Sequence, residues 1–239
     1  MPGTSARNAA IGVNAVDLSG YFRAVEAMWE IEMDDTTTFG ATRVAKSWTL
    51  LLEIATLIFT GFWDATATVG VNAVLKAAFA AATQSIVTWW PTGDAVGSHG
   101  VAMLADLGTK KREGAVDKAI TIGAEFKSSV GEEEVVSLHA LTQETSDGNG
   151  TIVDNGAATT NGGSAYLEVS DITTDITVTL RHSTDNFGAN DVLLGSFTIV
   201  AADRTTQRIA LTGTINRYVR AVWDLTGNST FRVGLHRKP

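Results

Sequence analysis

The chain contains no cysteine and only 3 prolines in 239 residues. The first absence excludes disulfides, thiolate metal sites and a cysteine nucleophile, and says little about compartment. Charge is sparse at 18% of residues and leans acidic, with a net charge of -8. That balance argues against holding nucleic acid by counterion release, and is compatible with DNA passing close by without sticking. No compact apolar stretch follows Arg7 in MPGTSARNAAIGVNAV, so no export signal is expected there. The most apolar run, Trp48 to Trp63, contains Glu53, Thr49, Thr56, Thr60 and Gly61 and reads as a strand rather than a membrane span.

Catalytic patterns are missing as well. His99, His139, His182 and His236 show no HxH or HxxxH spacing. There is no GxSxG elbow, no GxxxxGK[ST] loop, and no convincing GxGxxG at a strand–helix junction. Asp147-Gly148-Asn149-Gly150-Thr151 starts like a calcium loop, but Ile152 stands where glycine is needed and Ala158 where a bidentate glutamate belongs. No catalytic residue, cofactor or metal is therefore expected. Trp63, Trp89 and Trp90 could stack on sugar, although tryptophans in strands more often fill a core. Lys110-Lys111-Arg112 reads as a solvated hairpin tip more readily than as a phosphate site.

What is present is β structure. Hydrophobic residues make up 44%, Gly numbers 23, and Thr, Val and Ala recur throughout. Residues 24–34 alternate: Val25, Ala27, Trp29, Ile31 and Met33 form one face, and Glu26, Met28, Glu30 and Glu32 the other. Thr36–Gly40 ends this strand in a turn, 41–47 reads as a loop, and 48–63 as a long strand. One helix is expected over about 72–84, with Asn72 as its N-cap and Val74, Leu75, Ala78, Phe79 and Ala82 at helical spacing. Strands follow at 86–90, 100–107 and 116–126, the last two linked by the charged stretch 110–114. From Val135 onward, six or seven short alternating strands with turns at about ten-residue spacing point to a β-sandwich. A seam is expected at Glu132-Glu133-Glu134. Residues 1–135 carry 10 basic and 16 acidic residues, and 136–239 carry 8 and 10, so the acidity lies mainly in the first half.

Two stretches carry a resemblance. Asp17, Leu18, Ser19, Tyr21, then Thr37, Thr38, Phe39, Gly40, then Gly61, Phe62, Trp63, Asp64, with the helix behind them, resemble the start of a long-tailed phage tail tube protein. The stretch from Val135 to the final strand resembles the β-sandwich appended to some phage tail proteins. The resemblance implies a mainly β fold: a tail-tube-type β-sandwich or partial barrel with one flanking helix over 1–135, including an N-terminal arm at 1–16. An Ig-like or jelly-roll-like sandwich over 136–239 would follow. It implies a structural, non-enzymatic virion protein, made in the host cytoplasm and assembled into hexameric rings that stack into a DNA-conducting tube. Other tail proteins would meet the tube ends, and a host surface glycan could meet the C-terminal domain. Thr37, Thr38, Phe39 and Gly40 would form an assembly turn, and Glu26, Glu30 and Glu32 would face the lumen. The alternatives are a capsid decoration or other virion protein, or a carbohydrate-binding module using the second sandwich.

Overall fold

The computed structural model describes residues 8–35, 48–68, 70–128 and 131–239, with backbone alone at 32–35 and 48–53. The assembly turn expected at Thr37, Thr38, Phe39 and Gly40 lies outside the described residues. The strands in chain order are β1 (Ala10–Val13), β2 (Val16–Asp17), β3 (Phe22–Asp35) and β4 (Trp48–Phe62). Helix α1 (Val71–Ala80) follows, then β5 (Ser85–Trp90), β6 (His99–Glu113), β7 (Thr121–Ser128) and β8 (Glu133–Glu144). The remainder are β9 (Gly148–Asn149), β10 (Val153–Asp154), β11 (Gly163–Ile172), β12 (Ile176–Ser183), β13 (Val192–Ser196), β14 (Thr205–Leu211), β15 (Tyr218–Leu225) and β16 (Ser229–Arg237). The fold is mainly β, as the alternating sequence predicts, and its sheets do not close into a barrel.

The chain divides into two compact units with interleaved segments. One takes Met1–Gly20, Ile86–Ala102 and Glu133–Pro239, and the other Tyr21–Ser85 and Met103–Glu132. The expected seam falls where the first unit resumes, but that unit also draws on two earlier segments.

In the first unit, two antiparallel sheets form a sandwich. One runs β14-β11-β16-β8 and continues into the start of β6, β5, β1 and β2; the other runs β10-β15-β12-β13, with β9 beside β15. Alternation drives this arrangement. Val178 and Leu180 of β12, and Val219, Ala221 and Trp223 of β15, face Leu138, Leu167, Phe231 and Val233 across one buried core. The first sheet is covered on its other face too, because β1 and β5 return over β11 and β16. Arg232 is 1% exposed there. Its guanidinium donates to Glu168 Oε2 at 2.6 Å, Thr88 Oγ1 at 3.0 Å and Asp94 Oδ2 at 3.1 Å. A Cβ on Gly12 would lie 2.4 Å from Arg232 Nη2, so β1 passes this cluster only as glycine. Trp90 is fully buried beside Arg232, which removes it from any sugar platform.

In the second unit, β3, β4, β7 and the Met103–Glu113 part of β6 form a four-stranded antiparallel sheet. Its inner face buries Leu57, Phe59, Leu107, Ile122, Ala124 and Phe126, with Phe59 meeting Phe126 edge-on at 5.9 Å. Helix α1 buries Val71, Val74, Leu75 and Ala78, as its spacing predicts. It is shorter than expected and starts at Gly70, which has no side-chain cap. Asn72 instead serves Lys110, whose Nζ donates to Asn72 O at 3.1 Å and Asn72 Oδ1 at 2.9 Å. The stretch 110–114 is not a linker. β6 runs to Glu113, and the turn comes after it.

Candidate assembly surface

The surface of interest is built from the edges of the second unit's sheet. Among the described residues β3 pairs only with β4, so one side of a 14-residue strand has no ladder there. At the other end of the sheet, β7 pairs with β6 over Asp106–Glu113. β5, six residues long and joined to β6 by the turn at 91–98, is too short to follow β6 that far. Among the described residues the outer side of Leu107–Glu113 is therefore a second open edge. Exposed strand edges offer rows of unpaired N–H and C=O groups and are normally shortened, bulged or covered in a monomer.

The two edges differ in charge. β3 carries Arg23 against Glu26, Glu30, Glu32, Asp34 and Asp35. The Leu107–Glu113 segment carries Lys110, Lys111 and Arg112 against Glu113. Burial, together with the charges of Arg112 and Lys76, holds the Lys110 ammonium below the ordinary lysine pKa. Arg112 lies over the Trp63 ring at 5.7 Å. This basic edge was hidden in the sequence because three adjacent charges read as a hairpin tip. The apolar alternation through Met103, Ala105 and Leu107 stops there, so the sequence carries no apolar signal that the strand runs on to Glu113.

Register places the expected lumen residues. Glu26 lies opposite Ile58 and Glu30 opposite Ile54, on the face away from Phe59 and Leu57. Glu32 falls at the irregularity between Ile31 and Met33, where the ladder shifts. The structure therefore brings Glu26 and Glu30 onto one exposed face. The same face carries Lys111 beside Glu113 and Lys127 beside Glu125 toward the β6 side, so it is mixed rather than uniformly acidic.

The apolar face of β3 also departs from the expected pattern. Val25 and Ala27 are half-buried, but Trp29 is 55% exposed and Ile31 49%. The reason is reach. β7 follows β4 only over Ala55–Phe62, so among the described residues Glu30–Asp35 and Trp48–Ile54 form a two-stranded ribbon without a third strand. A two-stranded ribbon is marginal on its own. Exposed Trp29 and Ile31 at its base therefore mark an apolar surface without a cover among the described residues.

The residues of the N-terminal resemblance have structural work. Asp17 Oδ1 accepts the Ser19 N–H at 2.9 Å, and Ser19 Oγ accepts the Ile11 N–H at 2.8 Å. Asp64 accepts from Thr66 N and Oγ1 at 3.0 and 2.9 Å, which holds its carboxyl below the usual range, and it hydrogen-bonds Tyr21. A Cβ on Gly61 would lie 2.1 Å from Tyr21 O, so only glycine lets β3 and β4 close there.

No family model matches the chain, and no curated protein matches it. Among solved structures, a chain of the virion of a native gene transfer agent particle is similar over 55% of this chain and 98% of its own, with TM-score 0.42 and 12% identity. The SPP1 Dit (gp 19.1) protein, described as a hub of the adsorption apparatus in phages infecting Gram-positive hosts, is similar over 96% and 99%, with TM-score 0.38 and 15% identity. A chain of infectious bursal disease virus, Gx strain, is similar over 88% and 55%, with TM-score 0.24 and 11% identity.

Proposed function

We propose that this chain is a structural virion protein of a phage or phage-like particle, and that its second unit is a tail tube subunit. The observation that carries the reading is the four-stranded sheet with two long open edges of opposite charge. An acidic β3 edge on one copy and a basic β6 edge on the next are complementary but not identical. Their contact is therefore head-to-tail, and head-to-tail contacts generate rings when the rotation closes. Ladder hydrogen bonds would supply the binding, and the charges would select the β3–β6 pairing over β3–β3 or β6–β6. The residues that resemble a tail tube protein support the same conclusion, since Gly61 and Asp64 set the geometry where β3 begins and β4 ends.

In this reading six copies form a ring, rings stack, and the joined sheets line a channel. Glu26 and Glu30 face the lumen with Lys111 and Lys127, and DNA passes without a dense row of cations to hold it. The turn expected from the sequence at Thr37, Thr38, Phe39 and Gly40 would reach a neighbouring subunit. Other tail proteins meet the tube ends, and the sandwich of the first unit decorates the outside. Negative-stain images of the purified chain test this. Rings or tubes are expected. Subunits that stay single at high protein concentration would overturn it.

A further inference from the structure

The outer face of the β10-β15-β12-β13 sheet carries a feature that tube assembly does not use. Arg181 of β12 lies directly opposite Arg220 of β15. Like charges across a strand pair are destabilising. Here they share one acid: Arg181 Nη1 donates to Asp191 Oδ1 at 3.1 Å, and Arg220 Nη2 to Asp191 Oδ2 at 2.8 Å. Burial works against the Asp191 charge, but these two donors hold its carboxyl below the usual range. One carboxylate balances two guanidiniums, so the site keeps a positive charge in a chain of net charge -8.

The pair has unused donors. A guanidinium offers several N–H groups in a planar fork that matches a carboxylate. Each guanidinium gives one nitrogen to Asp191, and solvent reaches the pair, with side chains 36% exposed at Arg181 and 20% at Arg220. The adjoining loop is held in a costly shape. Asn186 and Phe187 both adopt φ 60°, a left-handed conformation that a phenylalanine seldom takes. Ser183 Oγ accepts the Phe187 N–H at 2.9 Å, and Asp185 Oδ2 accepts the Ala189 N–H at 2.7 Å. The result places the Phe187 ring 4.2 Å from the Arg220 guanidinium. Strain of this kind persists where it positions a group for use. Tyr218 and Thr179 lie on the same flat, half-exposed face, offering the ring and hydroxyl chemistry that suits a sugar.

We propose that Arg181 and Arg220 form a binding site for the carboxylate of an acidic saccharide. Asp191 occupies one bridging position, and the sugar acid takes the remaining donors, with its ring against Tyr218. The site does not depend on the tube reading.

Calorimetric titration of the full chain with oligogalacturonate tests this. Saturable binding is expected, with at least about a ten-fold loss of affinity in the Arg181→Gln/Arg220→Gln variant, the loss that removing charged hydrogen bonds implies. The methyl ester of the same oligosaccharide, which removes the charge without touching the protein, should not bind to the native chain. Absence of binding, equal binding of the methyl ester, or unchanged affinity in a folded double variant would overturn the proposal. So would saturable binding of inorganic phosphate alone, which would make this a simple anion site.

Discussion

The two units treat their sheet edges in opposite ways. In the first unit the outermost strands of the second sheet are two-residue β10 and five-residue β13, and β13 is irregular against β12 between Leu180 and Arg181. On the other sheet, edge strand β14 is engaged by its own side chain. Gln207 Oε1 accepts the Thr198 N–H at 2.9 Å, and Gln207 Nε2 donates to Thr198 O at 3.0 Å. Short, irregular or occupied edges are how soluble β proteins avoid pairing with one another. The second unit instead leaves a 14-residue edge strand, irregular against β4 at two points but without a covering strand among the described residues, with Met28, Trp29 and Ile31 exposed along it. The difference teaches that one unit completes itself while the other is left to be completed.

The sharpest way to break the self-sufficient unit is through its buried charge. Arg232→Met would leave Glu168 and Asp94 without their cation, and such losses cost about 3–5 kcal/mol. The urea midpoint should fall accordingly, and Arg232→Met with Glu168→Gln should recover a large part of it. A smaller effect is expected in the second unit. Gly61→Ala drives a Cβ into the Tyr21 carbonyl, an overpacking that costs about 1–3 kcal/mol. Thermal unfolding of the variant measures it.

Acid should separate the units further. Burial lowers the His182 pKa, and the Asn216 N–H donates to its Nδ1, so the folded unit holds it neutral. The unfolded chain then binds the extra proton. This contribution is complete above about pH 6.5 and is lost as pH falls through the lower folded value. Glu133 behaves in the same direction at lower pH. Burial raises its pKa, but hydrogen bonds from Arg208, Ser164 and Tyr166 outweigh that and leave it depressed. Its contribution is present above about pH 4.5 and lost below. Melting temperature against pH should thus decline in two stages, and His182→Asn should flatten the first. The smallest effect is expected from Glu26→Lys with Glu30→Lys. Both side chains are exposed, so subunit stability should change by less than about 0.5 kcal/mol.

Much of this comparison was legible in the residues. Period-2 alternation located β12 and β15 because their inner faces are buried and their outer faces are not. The helical spacing of Val71, Val74, Leu75 and Ala78 did the same for α1. Interleaving of the units was not legible. It depends on Arg232 meeting Thr88 and Asp94, contacts more than a hundred residues apart that leave no local pattern. The open edges were also invisible, because alternation reports which face of a strand is buried and says nothing about whether its sides are paired. Exposure of Trp29 and Ile31 is not legible for a related reason: their face is apolar, but β7 ends before covering it.

The direct test of the open-edge account is a charge exchange read by sedimentation and electron microscopy. Glu26→Lys/Glu30→Lys/Glu32→Lys makes both edges net basic, and Lys111→Glu/Arg112→Glu makes both acidic. Each variant alone should remain as folded single subunits. A mixture of the two, in which every junction again joins opposite charges, should restore rings or tubes. Normal assembly of either variant alone, or no assembly of the mixture under conditions where the native chain assembles, would contradict the account.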